Sequence, residues 1–147
     1  MVKKKDKIGF WFAVCSAAIL ILDQLTKFLA ASKLTASLPI IKNVFHLTLT
    51  TNTGAGFGIL KNFNSALIWV SIFVIGMILY YYDQIKGNRT AVAVGLILGG
   101  IVGNLIDRIR LGYVVDFLDF RVWPIFNIAD SAITIGIFLI IIYYWKK

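Results

Sequence analysis

Asp116 and Asp130 are the residues of this chain whose types and settings best suit catalysis. Asp116 stands in Val114-Val115-Asp116-Phe117-Leu118, an apolar stretch whose desolvation should favour the neutral carboxyl. Asp130 stands in Phe126-Asn127-Ile128-Ala129-Asp130-Ser131. There Asn127 is a good helix N-cap, and a carboxylate three residues later meets the favourable end of the helix dipole. Taken alone, capping accounts for Asp130 as well as catalysis does. Taken together, one carboxyl that prefers to be neutral and one that prefers to be charged are the arrangement by which two carboxyls share a proton. Such a pair hydrolyses an amide when the ionised member takes a proton from water and the neutral member protonates the scissile carbonyl oxygen. The sequence leaves open which aspartate starts out protonated. Apolar flanks against a helix N-terminus motivate Asp116 as the neutral acid and Asp130 as the base. No metal or other cofactor is expected: the chain offers one histidine, His46, and one cysteine, Cys15, inside an apolar run, too few for a ligand set.

The elements that must position this pair are membrane helices. Of the 147 residues 59% are hydrophobic and 15% charged, the composition of an integral membrane protein. The net charge of +8 sits at the ends of apolar runs, so anionic lipid and topology explain it better than nucleic acid, which is not expected as a partner. Periodicity and run length predict a single all-α membrane domain over 1–147 with four transmembrane helices, at about 8–31, 66–82, 91–106 and 125–145. A cleaved signal peptide is the rival for the first run, with Phe12-Ala13-Val14-Cys15 resembling a lipoprotein cleavage site, but the run continues far enough past Cys15 to span. Residues 32–63 are the long polar connection, and the alternation over 43–51 predicts a small extracytoplasmic β-rich segment. It runs into Asn52-Thr53-Gly54-Ala55-Gly56-Phe57-Gly58, whose glycines permit tight bends near another surface. Tyr80, Tyr81 and Tyr82 close the second span as an interfacial anchor. Gly95, Gly99 and Gly103 recur every fourth residue along the third, a ridge that admits a neighbouring helix, and Asp107 continues the same ridge.

The short N-terminal segment, the 83–90 turn and the C-terminal tail hold eight of the 15 basic residues, and the two long connections hold six over far more chain. Both termini are therefore expected in the cytoplasm of a plasma-membrane protein, with the connections outside. At 1.5 Å per residue, Asp23, Asp107 and Asp130 each lie about 22–24 Å from the inner ends of their helices. They share one level in the outer part of the membrane, over which Asp116 must hang. All seven acidic residues are aspartates, so each can be weighed separately. Asp23 and Lys27 have the spacing of an ion pair. Structural support is the reading for Asp23 and Asp107, through an Asp107–Arg108 or Asp23–Arg108 pair. Asp6 and Asp119 read as solvated surface charges, His46 as a solvated or packed loop residue without partners, and Cys15 as a small core residue.

Five ordered stretches carry a resemblance: Asp23-Gln24-Leu25-Thr26-Lys27, Asn52-Thr53-Gly54-Ala55, Gly103-Asn104-Leu105-Ile106-Asp107-Arg108, Val114-Val115-Asp116-Phe117 and Phe126-Asn127-Ile128-Ala129-Asp130-Ser131. Together they resemble lipoprotein signal peptidase, or signal peptidase II, over nearly the whole chain, with Gly56 where many members have alanine. The resemblance implies an aspartic endopeptidase that removes signal peptides from prolipoproteins by cutting before a diacylglyceryl-modified cysteine. It implies a catalytic dyad at Asp116 and Asp130. It implies that Asn52, Gly54, Asn104, Arg108 and Asn127 line or support the substrate site, that Asp23 and Asp107 are supporting polar positions, and that globomycin-type cyclic peptides inhibit. Two rivals come from other classes. A proton- or cation-conducting transport subunit should space carboxyls through the membrane, whereas here the inner half has none. A structural or chaperone-like membrane protein would use the aspartates only as caps and ion-pair partners.

Overall fold

The computed structural model describes residues 4–54 and 63–145. In chain order it has α1 (Lys4–Lys33), β1 (Leu38–Ile41), β2 (Phe45–Asn52), α2 (Asn64–Tyr80), a 3-10 turn (Tyr82–Gln84), α3 (Asn88–Leu111), β3 (Val114–Asp119) and α4 (Ile128–Trp145). Helices α1, α3 and α4 are each long and apolar enough to cross a membrane, and α2 is a shorter apolar helix of 17 residues. Many side chains of α1, α2 and α4 are exposed, including Phe28, Trp69, Phe73 and Phe138, as expected where lipid rather than protein is the neighbour.

The central helix is α3, packed against α1, α4 and α2. Its glycine ridge does what the spacing predicts. A methyl group at Gly99 would meet the Ser16 carbonyl oxygen at 2.6 Å, and one at Gly103 would meet Asp23 Oδ2 at 2.5 Å. Close approach of α1, through its backbone at Gly99 and through the Asp23 side chain at Gly103, therefore requires glycine at both positions. Cys15 packs on the same ridge, beside Gly95. Helix α3 runs five residues past the expected end and stops at Gly112, whose left-handed φ of 82° suits the residue after a helix. That turn throws the chain directly into β3.

Strand β3 is the main departure from expectation. The β-rich segment was expected only within 32–63, and β2 does form there. Yet the sheet is three-stranded and antiparallel in the order β1-β2-β3, with its third strand from the connection before α4. Val114-Val115-Asp116-Phe117-Leu118 is a short, nearly continuous apolar run, which length and periodicity alone assign poorly. In register, Asn52 pairs with Val114 and Thr50 with Asp116. The Phe126 carbonyl accepts the N–H groups of Phe117 and Leu118 at 3.0 and 2.8 Å, pinning the start of α4 to β3. Helix α4 consequently begins at Ile128, three residues later than expected.

Two side-chain expectations need correction. Asp119 is not a solvated charge but is 4% exposed. It accepts hydrogen bonds from Thr48 Oγ1 at 2.9 Å and from the Arg121 N–H at 2.8 Å, and pairs with Arg121 Nη1 at 3.0 Å. These fix a turn in which Arg121 has φ 66°. His46 lies on β2 rather than in a loop, with Nδ1 3.1 Å from Ser37 Oγ. The glycine-rich continuation at 55–58 lies outside the described residues.

Candidate active site

The expected site residues converge where α1, α3, the end of β2, β3 and the start of α4 meet. Asn127 precedes α4 and forms the expected capping box. Its Oδ1 accepts the Asp130 N–H at 2.9 Å, and Asp130 Oδ2 accepts the Asn127 N–H at 3.3 Å. Capping thus occupies one carboxylate oxygen of Asp130. The other, Oδ1, accepts from Asn104 Nδ2 at 2.8 Å. The same Asn127 donates through Nδ2 to Asp116 Oδ1 at 2.6 Å. One asparagine therefore holds both aspartates.

Asp116 is 1% exposed. Its Oδ2 accepts from Asn52 Nδ2 at 3.1 Å, while Asn52 Oδ1 is held by the Gly54 N–H at 3.0 Å. Burial first, then the neighbouring charge of Asp130, pushes its carboxyl from an ordinary 3.8 up to about 6, against the two asparagine donors. A carboxyl of that kind keeps its proton to a higher pH than an ordinary aspartic acid.

A cavity of about 250 Å³ opens beside the pair, lined by Asn52, Gly54, Asn104, Arg108, Asp130 and the 123–126 segment with Trp123. Asp130 is on its wall, and Asp116 lies behind Asn52. The Arg108 guanidinium donates to the Gly54 carbonyl at 3.3 Å and the Asn104 carbonyl at 3.4 Å. It thus faces the cavity and makes neither of the expected ion pairs with Asp107 or Asp23.

The cation that pairs with those two carboxylates is Lys27. Its Nζ lies 2.8 Å from Asp23 Oδ2 and 3.0 Å from Asp107 Oδ2, with the lysine 3% exposed. The i, i+4 pair with Asp23 was legible from spacing, but the bridge across to α3 was not. Gln24 completes the lattice by donating to Asp107 Oδ1 at 2.9 Å and to the Gly103 carbonyl at 3.2 Å. Asp23 Oδ1 accepts the Ala129 N–H at 2.9 Å, and Asp107 Oδ2 accepts the Val115 N–H at 3.2 Å. Asp23 and Asp107 therefore tie α1 and α3 to the backbone beside each candidate catalytic aspartate. Neither Lys27 nor Gln24 is among the site residues expected from the sequence. A cation inside an apolar span was the available signal.

The chain resembles known proteins over most of its length. Residues 15–146 match the family described as signal peptidase (SPase) II. The chain is 49% identical to the lipoprotein signal peptidase of Halothermothrix orenii over 132 residues, covering 88% of this chain and 91% of that one. It is 47% identical to that of Caldanaerobacter subterraneus over 129 residues, covering 84% and 88%. Two solved structures, each described as a bacterial membrane enzyme, share the fold. One has a TM-score of 0.86 at 34% identity over 92% of this chain and 87% of its own. The other has 0.83 at 33% over 92% and 93%. The chain belongs to the signal peptidase II family of membrane proteases.

Proposed function

We propose that this protein is an aspartic endopeptidase that removes signal peptides from prolipoproteins, cutting before the diacylglyceryl-modified cysteine, with Asp116 and Asp130 as its catalytic pair. The observation that carries this reading is the single amide of Asn127 joining a buried carboxyl, raised to about 6, to a second carboxyl on the wall of a cavity. Asp130, whose oxygens accept N–H donors, serves as the base that takes a proton from water as the water oxygen bonds to the scissile carbonyl carbon. Asp116 gives its proton to the carbonyl oxygen, producing a neutral diol. Collapse returns a diol proton to Asp116, while Asp130 passes its proton to the leaving nitrogen as the C–N bond breaks. Neither a covalent intermediate nor a metal enters the scheme.

Asn52, Gly54, Asn104, Arg108 and Asn127 present donors and backbone edges to the peptide. Asp23 and Asp107 act behind them by anchoring the helices. In the membrane, α2 serves as the fourth span. At 1.5 Å per residue its 17 residues reach about 25 Å, enough with modest thinning of the bilayer. Both termini face the cytoplasm, and the sheet and cavity face outward at the lipid boundary. A lipid-modified cysteine can then keep its acyl chains in the leaflet while its peptide bond meets the pair and water enters from outside. A globomycin-type cyclic peptide occupies the same cavity.

The test uses purified protein in lipid with one prolipoprotein in two forms, with and without diacylglyceryl on the cysteine, and reads product masses. The expected result is a cut immediately before the lipid-bearing cysteine, blocked by globomycin, with the unmodified precursor spared. Equal cutting of both forms, or a cut elsewhere, contradicts the substrate assignment.

A further inference from the structure

Lys27 makes one more bond than its charge requires. Its two ion pairs already neutralise it, yet Nζ also donates to Asn104 Oδ1 at 2.9 Å. An ammonium has no acceptor, so only the carbonyl end of the Asn104 amide can face it. Asn127 Nδ2 supports the same carbonyl from 3.1 Å. The opposite end, Nδ2, is thereby aimed at Asp130 Oδ1, 2.8 Å away. A flipped amide would set N–H groups against the ammonium and a carbonyl oxygen against the Asp130 carboxylate. We infer that Lys27 is a positioning residue for the reaction, fixing which end of the Asn104 amide meets Asp130 and so keeping a donor on the base.

Facing Lys27 are Asp23 and Gln24 from α1 and Asp107 and Asn104 from α3. Facing Asp130 are Asn104 and Arg108 from α3 and Asp116 from β3. Within this set, Asn104 is the side chain that touches both the ammonium and the base. The inference rests on the two-aspartate reading above.

The experiment is a mutant cycle on the full chain in lipid, read as kcat per folded molecule and KM for the lipid-modified substrate. Lys27→Met alone would strand two buried carboxylates, a change that strongly destabilises a fold. The cycle is therefore built on Asp107→Asn, which keeps the net charge of the cluster when Lys27 is removed. Against Asp107→Asn alone, adding Lys27→Met should lower kcat about tenfold to a hundredfold with KM within about twofold. Asn104→Leu should lower kcat as far, whatever it does to KM, and the two together should cost no more in kcat than Asn104→Leu. Losses that multiply, or a loss confined to folded yield or KM, overturn the positioning role and leave Lys27 a helix tie. Should the Lys27 variant not fold, Asn104→Leu decides, because it leaves Lys27 both carboxylates: an unchanged kcat there overturns the inference. Asp130→Asn runs beside the set. If it turns over normally, the two-aspartate reading itself has failed; if it is inactive while Lys27→Met costs nothing, only the Lys27 inference has.

Discussion

At the scale of residues, the site depends on asparagines that each do two jobs. Asn127 caps α4 and holds Asp116, and Asn104 links Lys27 to Asp130. Such a lattice, in which each of the four carboxylates is met by hydrogen-bond donors, is what allows them to gather in one place. Burial holds Asp116 toward its neutral form. Its carboxyl ionises through about 6 instead of 3.8, so the stability owed to its neutral form is full below 3.8 and lost as pH rises through about 6. Infrared titration should show a protonated carboxyl band that disappears around pH 6 and is missing from Asp116→Asn. A band that persists in that variant contradicts the assignment. The aspartates and asparagines were legible because polar residues in apolar surroundings need a reason. The bridging of Lys27 to Asp107 was not, since it joins α1 to α3 across a distance that i, i+4 spacing does not describe.

At the scale of elements, close approach of α1 to α3 sets the geometry, and glycine permits it. Gly99→Ala should destabilise the protein by about 1–3 kcal/mol, because its methyl would press on the Ser16 carbonyl and the helix cannot yield. Gly76→Ala is the control: nothing lies within 4 Å of its added methyl, and a helical glycine loses nothing by the change. Thermal unfolding in detergent checks both, and equal effects at the two sites would contradict the ridge. The helices and the ridge were legible through hydropathy and a four-residue repeat. Strand β3 was not, because Val114-Val115-Asp116-Phe117-Leu118 is stabilised by pairing with β2, a partner some sixty residues earlier in the chain, and local pattern carries no trace of that. This omission mattered little for finding Asp116 and greatly for understanding its burial.

At the scale of the whole molecule, three helices hold a polar cluster, and a sheet drawn from two separate connections packs against it. The expected orientation puts position 42 outside and position 86 inside. In intact cells Lys42→Cys should react with an impermeant maleimide, and Lys86→Cys only after the membrane is opened; the reverse pattern would invert the topology and remove the site from the side where water and lipid-modified substrate meet it. The measurement that bears most directly on the central claim is turnover of a diacylglyceryl-modified prolipoprotein by wild type, Asp116→Asn and Asp130→Asn, each shown to be folded. Loss of about a thousandfold or more in both variants is the predicted result. A folded variant of either kind that keeps within about tenfold of wild-type turnover would contradict it, since a missing general acid or base should cost at least about a hundredfold, and would turn attention to Asp23 and Asp107.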